Sequence, residues 1–173
     1  DRSTCPLFGD GGTAALVVAT EEDYGVMDSI IHTDGVGLPF LHMKAGGSVR
    51  PASHETVDHR EHFVYQEGRI VYKYAVSSML QVSEDILKRN NLTVDTIDWF
   101  IPHQANLRII EAVGDRLKLG SEKIFVNLDE YGNTSAASIP LGIGDACAQG
   151  RIRPGSRVLL SAFGGGFTWG AAL

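Results

Sequence analysis

Cysteine is almost absent from this chain. Two thiols, Cys5 and Cys147, in 173 residues cannot make a disulfide framework, so the sequence fits a reducing compartment. Basic charge is scarce as well. Fifteen Lys and Arg stand against 21 Asp and Glu, a net charge of −6, which argues against a nucleic-acid surface and leaves only a local Lys and Arg cluster to meet an acidic partner. Long hydrophobic runs are missing too. The most apolar stretch, residues 158–173, holds four glycines and is too short to span a bilayer. No segment reads as a signal peptide, and the cytoplasm is the expected location. The triplets Asn91-Leu92-Thr93 and Asn133-Thr134-Ser135 match the glycosylation pattern, but without secretion they are chance matches. The chain opens at Asp1 and runs at once into apolar residues, which reads as a cut through a longer protein.

What is present is the balance of an ordinary globular domain, with 43% apolar and 21% charged residues. The glycine-rich turn at Phe8-Gly9-Asp10-Gly11-Gly12 should feed a strand ending near Ala19. Residues 26–32 should form a second strand, paired with the first as a hairpin. Residues 35–68 are polar and without period, and read as a long loop. Ala75, Met79, Val82, Ile86 and Leu87 recur at three- and four-residue steps, which predicts a helix over 72–90. A strand over 97–101 follows. Asn106 can then cap a helix that buries Leu107, Ile110, Val113 and Leu117 and ends at Gly120. The unit repeats with a strand at 123–128, a loop at 129–133 and a helix at 135–148. Strands at 157–162 and 167–173 close the chain. Strand–helix alternation with short connections predicts an α/β fold with a partly parallel sheet.

In such sheets, sites form in loops beyond the carboxyl ends of strands. Three loops qualify: Pro102-His103-Gln104-Ala105-Asn106, Tyr131-Gly132-Asn133-Thr134-Ser135 and Phe163-Gly164-Gly165-Gly166. A neutral His and an Asn both offer N–H donors, and two such donors aimed at one carbonyl oxygen stabilise an enolate or oxyanion. A glycine run lets a backbone N–H approach a second carbonyl unobstructed. Neither the His nor the Asn motif contains the acid of a Ser-His-Asp arrangement, and no metal-ligand spacing surrounds His103.

Together, His103-Gln104-Ala105-Asn106-Leu107-Arg108, the run from Tyr131 to Ser138 and the run from Ala162 to Gly170 resemble the β-ketoacyl-acyl carrier protein synthase III family. Phe8-Gly9-Asp10-Gly11-Gly12 fits the start of that family's second half, and the resemblance spans essentially the whole chain. It implies a thiolase-like fold of two duplicated α/β repeats, with residues 1–173 as the C-terminal repeat. The family's Cys-His-Asn set would then be represented here by His103 and Asn133, the nucleophilic Cys lying in the absent N-terminal repeat.

The implied chemistry has two stages. An acyl group passes from acyl-coenzyme A to the Cys. Malonyl-acyl carrier protein then loses carbon dioxide while His103 and Asn133 hold its thioester oxygen. The carbanion attacks the acyl-Cys, whose oxyanion the Gly165 N–H would help hold, with Phe163 as an apolar wall. By the same resemblance Gly68, Tyr72, Ala105 and Asn106 line the pantetheine channel. Gln104 and Arg108 meet the carrier protein, and Arg2 lies near the coenzyme A adenine. Tyr72 stands where Phe is expected, and Asp115-Arg116 where a basic pair is expected. Coenzyme A enters as substrate, with no resident cofactor or metal. The implied partners are acyl carrier protein, acyl-coenzyme A, the protein's own N-terminal repeat and a second copy in a homodimer.

Plainer readings stand beside these. Cys147, in step with Ile139 and Ile143, reads as helix core, and Cys5 as a small buried hydrophobe. His54, His59 and His62, interleaved with Glu55, Asp58 and Glu61, read as a solvated polar loop. The glycine turn at 9–12 lacks the Lys and the following helix of a phosphate loop, which weighs against a kinase-like ATPase. A condensing enzyme of polyketide or other specialised metabolism, and a non-catalytic half-subunit, remain as alternatives.

Overall fold

The computed structural model describes residues 4–22 and 24–173. Among these residues six strands and five α-helices are formed: β1 (Ser29–Thr33), β2 (Leu41–Met43), α1 (His54–Asp58), β3 (Val64–Gln66), α2 (Gly68–Arg89), β4 (Trp99–Pro102), α3 (Leu107–Leu117), α4 (Leu128–Tyr131), α5 (Ser138–Ala148), β5 (Val158–Gly164) and β6 (Thr168–Ala172). The main sheet runs β1-β6-β5-β4. Its β4–β5 pair is parallel, and the other two pairs are antiparallel. Burial alternates along β5, where Leu159, Ser161 and Phe163 are buried, as the two-residue period of a strand dictates.

Two cores pack against the sheet. The larger core joins Ala75, Met79, Val82, Ile86 and Leu87 of α2 to Val113 and Leu117 of α3 and to Phe100, Leu159 and Phe163 of the sheet. Each of these side chains larger than Ala contributes about 1.5–3 kcal/mol when fully withdrawn from water. The second core packs Ile101 and Phe125 against Ala146 of α5. α2 ends where Asn90 donates from Nδ2 to the Ile86 carbonyl at 2.8 Å, with Lys88 and Arg89 in the last turn, favourable to the helix dipole. α3 starts at Asn106, whose side chain accepts from the Arg108 N–H at 2.9 Å. It stops at Lys118 in the left-handed region, before Gly120.

Several expectations give way. Residues 14–19 form no strand. Leu16, Val17 and Val18 are 90%, 83% and 69% exposed, because no neighbouring strand pairs with them. β1 pairs with β6 instead of closing a hairpin with that run. The 35–68 excursion is not a bare loop: it holds α1 and the two-stranded β2–β3 pairing. Some of its polar residues bond to one another. Arg50 is ion-paired with Glu61, and Thr56 Oγ1 meets His62 Nε2 at 2.8 Å. The expected 123–128 strand shrinks to one bridge, Phe100 to Ile124, with the Phe125 N–H on the Phe100 carbonyl at 2.9 Å. The ladder stops because the next groups turn to side chains. Asn127 N–H donates to Gln104 Oε1 at 3.1 Å, and its own amide donates to Asp145 Oδ2 at 2.8 Å.

α5 is also rotated from its expected facing. Ser138, Gly142 and Ala146 are buried, whereas Ile139 and Ile143 are half-buried and Cys147 is exposed. A Cβ on Gly142 would lie 2.9 Å from Ile101 Cγ2, so the small residues are what let this helix lie close on the sheet. In α3, likewise, Ile109 is buried and Leu107 is 46% exposed. Cys5 is exposed as well.

Candidate functional site

His103 follows directly on β4. The parallel ladder pairs Pro102 with Ser161, and the His103 N–H extends it by donating to the Ser161 carbonyl at 2.8 Å. The imidazole is half-buried, with Nδ1 2.7 Å from Ser138 Oγ. Burial pushes its pKa down to about 4, because desolvation disfavours the charged form. The ring is therefore neutral near pH 7 and carries a single N–H.

Asn133 is held differently. The backbone segment at Leu7 and Gly9 lies beside it: the Asn133 N–H donates to the Leu7 carbonyl at 2.9 Å, and its carbonyl accepts from the Gly9 N–H at 3.0 Å. Only glycine fits at position 9, since a Cβ there would fall 1.8 Å from the Tyr131 carbonyl oxygen. The Asn133 side chain accepts at Oδ1 from the Ser135 N–H, 2.9 Å away. That bond assigns the amide: oxygen faces Ser135, and Nδ2 has no hydrogen-bond partner among the described residues.

One cleft of about 1130 Å³ collects these groups. His103, Asn133, Gly165, Phe163, Gly68, Tyr72, Ala105, Asn106 and Arg108 all line it. Phe163 is buried against Phe167, ring centroids 4.8 Å apart. Tyr72 and Arg108 are exposed. Gln104 departs from expectation. It is wholly buried, with Nε2 donating to the Pro102 and Phe125 carbonyls at 2.8 and 3.2 Å and Oε1 accepting from Asn127 N–H. A side chain so enclosed cannot meet a carrier protein, and it braces the His103 loop from within. Arg2 lies outside the described residues.

Three neighbours of the site carry no signal of that position in the sequence. Ser138 reaches His103 only because the small-residue face of α5 is the one that packs, and no spacing links positions 103 and 138. Leu7 and Phe8 line the cleft through backbone pairing that no periodicity signals. Among the described residues no cluster of three His, Cys, Asp or Glu could hold a metal, and no helix is long and apolar enough to cross a membrane.

The 3-oxoacyl-[acyl-carrier-protein] synthase III C-terminal family model matches residues 87–173, and a second family model, 3-oxoacyl-[acyl-carrier-protein] synthase III, matches residues 1–35. The β-ketoacyl-[acyl-carrier-protein] synthase III 2 of Bacteroides thetaiotaomicron is 58% identical over 171 residues, covering 99% of this chain and 50% of that protein. The β-ketoacyl-[acyl-carrier-protein] synthase III of Koribacter versatilis is 52% identical over 175 residues, covering 100% and 53%. Among solved structures, the Thermus thermophilus synthase III superposes with a TM-score of 0.88 at 43% identity, covering 99% of this chain and 52% of that one. The priming β-ketosynthase of the R1128 polyketide pathway gives 0.81 at 30% identity, covering 100% and 51%. The chain thus spans about half the length of the curated relatives it matches, and its fold is thiolase-like. It belongs to the 3-oxoacyl-[acyl-carrier-protein] synthase III family.

Proposed function

We propose that this chain is the decarboxylating half of a condensing enzyme that initiates fatty-acid synthesis in the cytoplasm. The full protein would move an acyl group from acyl-coenzyme A to a Cys in its N-terminal repeat and condense it with malonyl-acyl carrier protein. Carbon dioxide and a 3-oxoacyl-carrier protein are the products, and the thiol is regenerated.

One observation carries this reading. In a single cleft, each of two neutral side chains has one polar atom tied to the protein, Nδ1 of His103 to Ser138 and Oδ1 of Asn133 to Ser135. The donors left over, Nε2–H and Nδ2–H, suit one developing oxyanion. As the malonyl carboxylate breaks away, its bonding pair moves toward the thioester oxygen, and these preorganised donors stabilise the enolate. The enolate carbon then attacks the acyl thioester carbonyl, the Gly165 N–H helps hold that oxyanion, and the Cys thiolate leaves. Phe163 keeps water from the departing carboxylate, which favours its loss as neutral carbon dioxide. Gly68, Tyr72, Ala105 and Asn106 line the approach for pantetheine. Arg108, exposed beside that approach, meets the acidic carrier, and Arg2 serves the coenzyme A adenine. Coenzyme A is substrate, and no resident cofactor is needed. The exposed run Leu16-Val17-Val18 is suited to burial by the N-terminal repeat or the second copy of a homodimer. The chain alone, lacking the nucleophile, makes no product.

The test uses the full-length protein. His103→Ala and Asn133→Ala should each cut carbon dioxide release from malonyl-carrier by roughly 10²–10³, the usual cost of one oxyanion donor. The double variant should be only slightly worse than the more severe single one, because the pair serves one transition state. Labelled acyl-coenzyme A should still acylate both variants. Loss of acylation in Asn133→Ala with decarboxylation intact would overturn the assignment. The likeness to the R1128 enzyme favours polyketide priming as a second reading, distinguished by which carrier protein supports turnover.

A further inference from the structure

Ser138 opens α5 and is buried, with 2% of its surface exposed. Its hydroxyl has two hydrogen-bond partners among the described residues: His103 Nδ1 at 2.7 Å and the Gln104 N–H at 3.4 Å. The second is long, but its direction is unambiguous, since a backbone N–H can only donate. The oxygen therefore accepts from Gln104. Among the described residues no carbonyl or carboxylate is bonded to take the hydroxyl proton, and the one acceptor is the imidazole nitrogen.

A neutral imidazole has one N–H and one lone pair, and the bond made at one nitrogen decides which the other presents. With the hydroxyl donating to Nδ1, the ring proton must sit on Nε2. In the opposite arrangement, Nδ1–H would donate to Oγ, the hydroxyl proton would be left without an acceptor, and Nε2 would turn a lone pair toward the cleft. A lone pair facing an enolate oxygen repels it.

We propose that Ser138 is a positioning residue that holds His103 as the Nε2–H tautomer, so that the imidazole presents a donor to the cleft. The assignment of the proton follows from hydrogen bonding within this chain. Its catalytic consequence rests on the reading of His103 as an enolate donor. The bond also fixes the ring plane, because Ser138 sits on a helix pressed against the sheet while His103 hangs from a strand of that sheet. Movement of α5 relative to β4 would turn the ring and misdirect its donor.

The test begins with the unaltered full-length enzyme, labelled with ¹⁵N at histidine. At neutral pH, the His103 resonances, assigned by their loss in His103→Ala, should show a protonated Nε2 and a hydrogen-bonded, unprotonated Nδ1. A protonated Nδ1 would overturn the proposal, and this measurement needs no folded Ser138 variant. Ser138→Ala should shift the Nδ1 resonance to that of an acceptor without a donor. It should also lower kcat for decarboxylation on the order of 10-fold, the scale of leaving one buried acceptor unpaired, with KM for malonyl-carrier little changed. Ser138→Thr, which keeps the hydroxyl, should restore both the resonance and kcat. An unchanged His103 spectrum and unchanged kcat in Ser138→Ala would equally overturn it. A protonated Nε2 combined with decarboxylation indifferent to His103→Ala would support the tautomer assignment while defeating the catalytic reading, so the two fail separately.

Discussion

The loop after β4 and the loop after α4 each bring a side-chain donor to the same cleft, yet they are held by different parts of the molecule. His103 is braced from inside the α/β core: the Ser161 carbonyl takes its N–H, Ser138 meets its ring, and Gln104 ties the loop to Pro102, Phe125 and Asn127. Asn133 leans on the backbone at Leu7 and Gly9, a segment followed by exposed, unpaired chain rather than by sheet. One donor therefore inherits the rigidity of packed secondary structure. The other depends on the register of a single short backbone pairing. The placement of the two should be separable by mutation.

The sharpest way to separate them is Gly9→Ala in the full-length protein. A Cβ cannot coexist with the Tyr131 carbonyl, so the segment must shift and carry Asn133 with it. A misplacement of about 1 Å can cost on the order of 10²-fold in rate. Carbon dioxide release should fall by up to that factor while acyl-enzyme formation persists. Equal loss of both stages would mean that the Gly9 segment supports the whole site and not the Asn133 loop alone.

A smaller effect is expected from the other loop's brace. Gln104→Leu keeps the bulk but leaves the Pro102 and Phe125 carbonyls and the Asn127 N–H without their partner. Leaving one buried polar group unsatisfied costs ~1–3 kcal/mol, and partial rearrangement should hold the total to about 2–4 kcal/mol. Urea unfolding of the full-length protein measures it. An unchanged midpoint would show that the His103 loop is held by strand and helix alone.

The mildest test is pH. The folded His103 pKa lies near 4, below the ~6.5 of an unfolded chain. Its neutral form therefore contributes stability that is fully present above ~6.5 and is lost progressively as pH falls toward 4. Between those values, unfolding should take up about one additional proton, seen as a slope in unfolding free energy that His103→Gln removes. Decarboxylation should stay level from pH 7 to about 5 and fall only near pH 4, with the same acid limb in Asn133→Ala, because an amide does not titrate. A limb near pH 6.5 would mean that the His103 loop is open to water.

Much of the scaffold was legible from local pattern. The α2 stripe at Ala75, Met79, Val82, Ile86 and Leu87 is buried as its period required, and Asn106 caps α3. His103 stands just past a strand in the sequence pattern, and β4 does end at Pro102. The loop of Asn133 reaches the same cleft, although the strand expected to carry that loop does not form. The resemblance puts Gln104 at the surface facing the carrier protein, whereas packing turns its amide inward onto Pro102, Phe125 and Asn127.

By itself, the sequence determined the family, the alternation of strand and helix, and the residue types that could serve as donors, since all of these follow from motif, period and composition. The tertiary structure decided which face of α5 packs, and so which residue touches His103. Apolar periodicity selects the large side chains Ile139 and Ile143 for burial. Close approach to Ile101 instead admits the small ones, Ser138, Gly142 and Ala146. Steric fit between helix and sheet is a property of two surfaces, and neither surface alone records it in its own spacing.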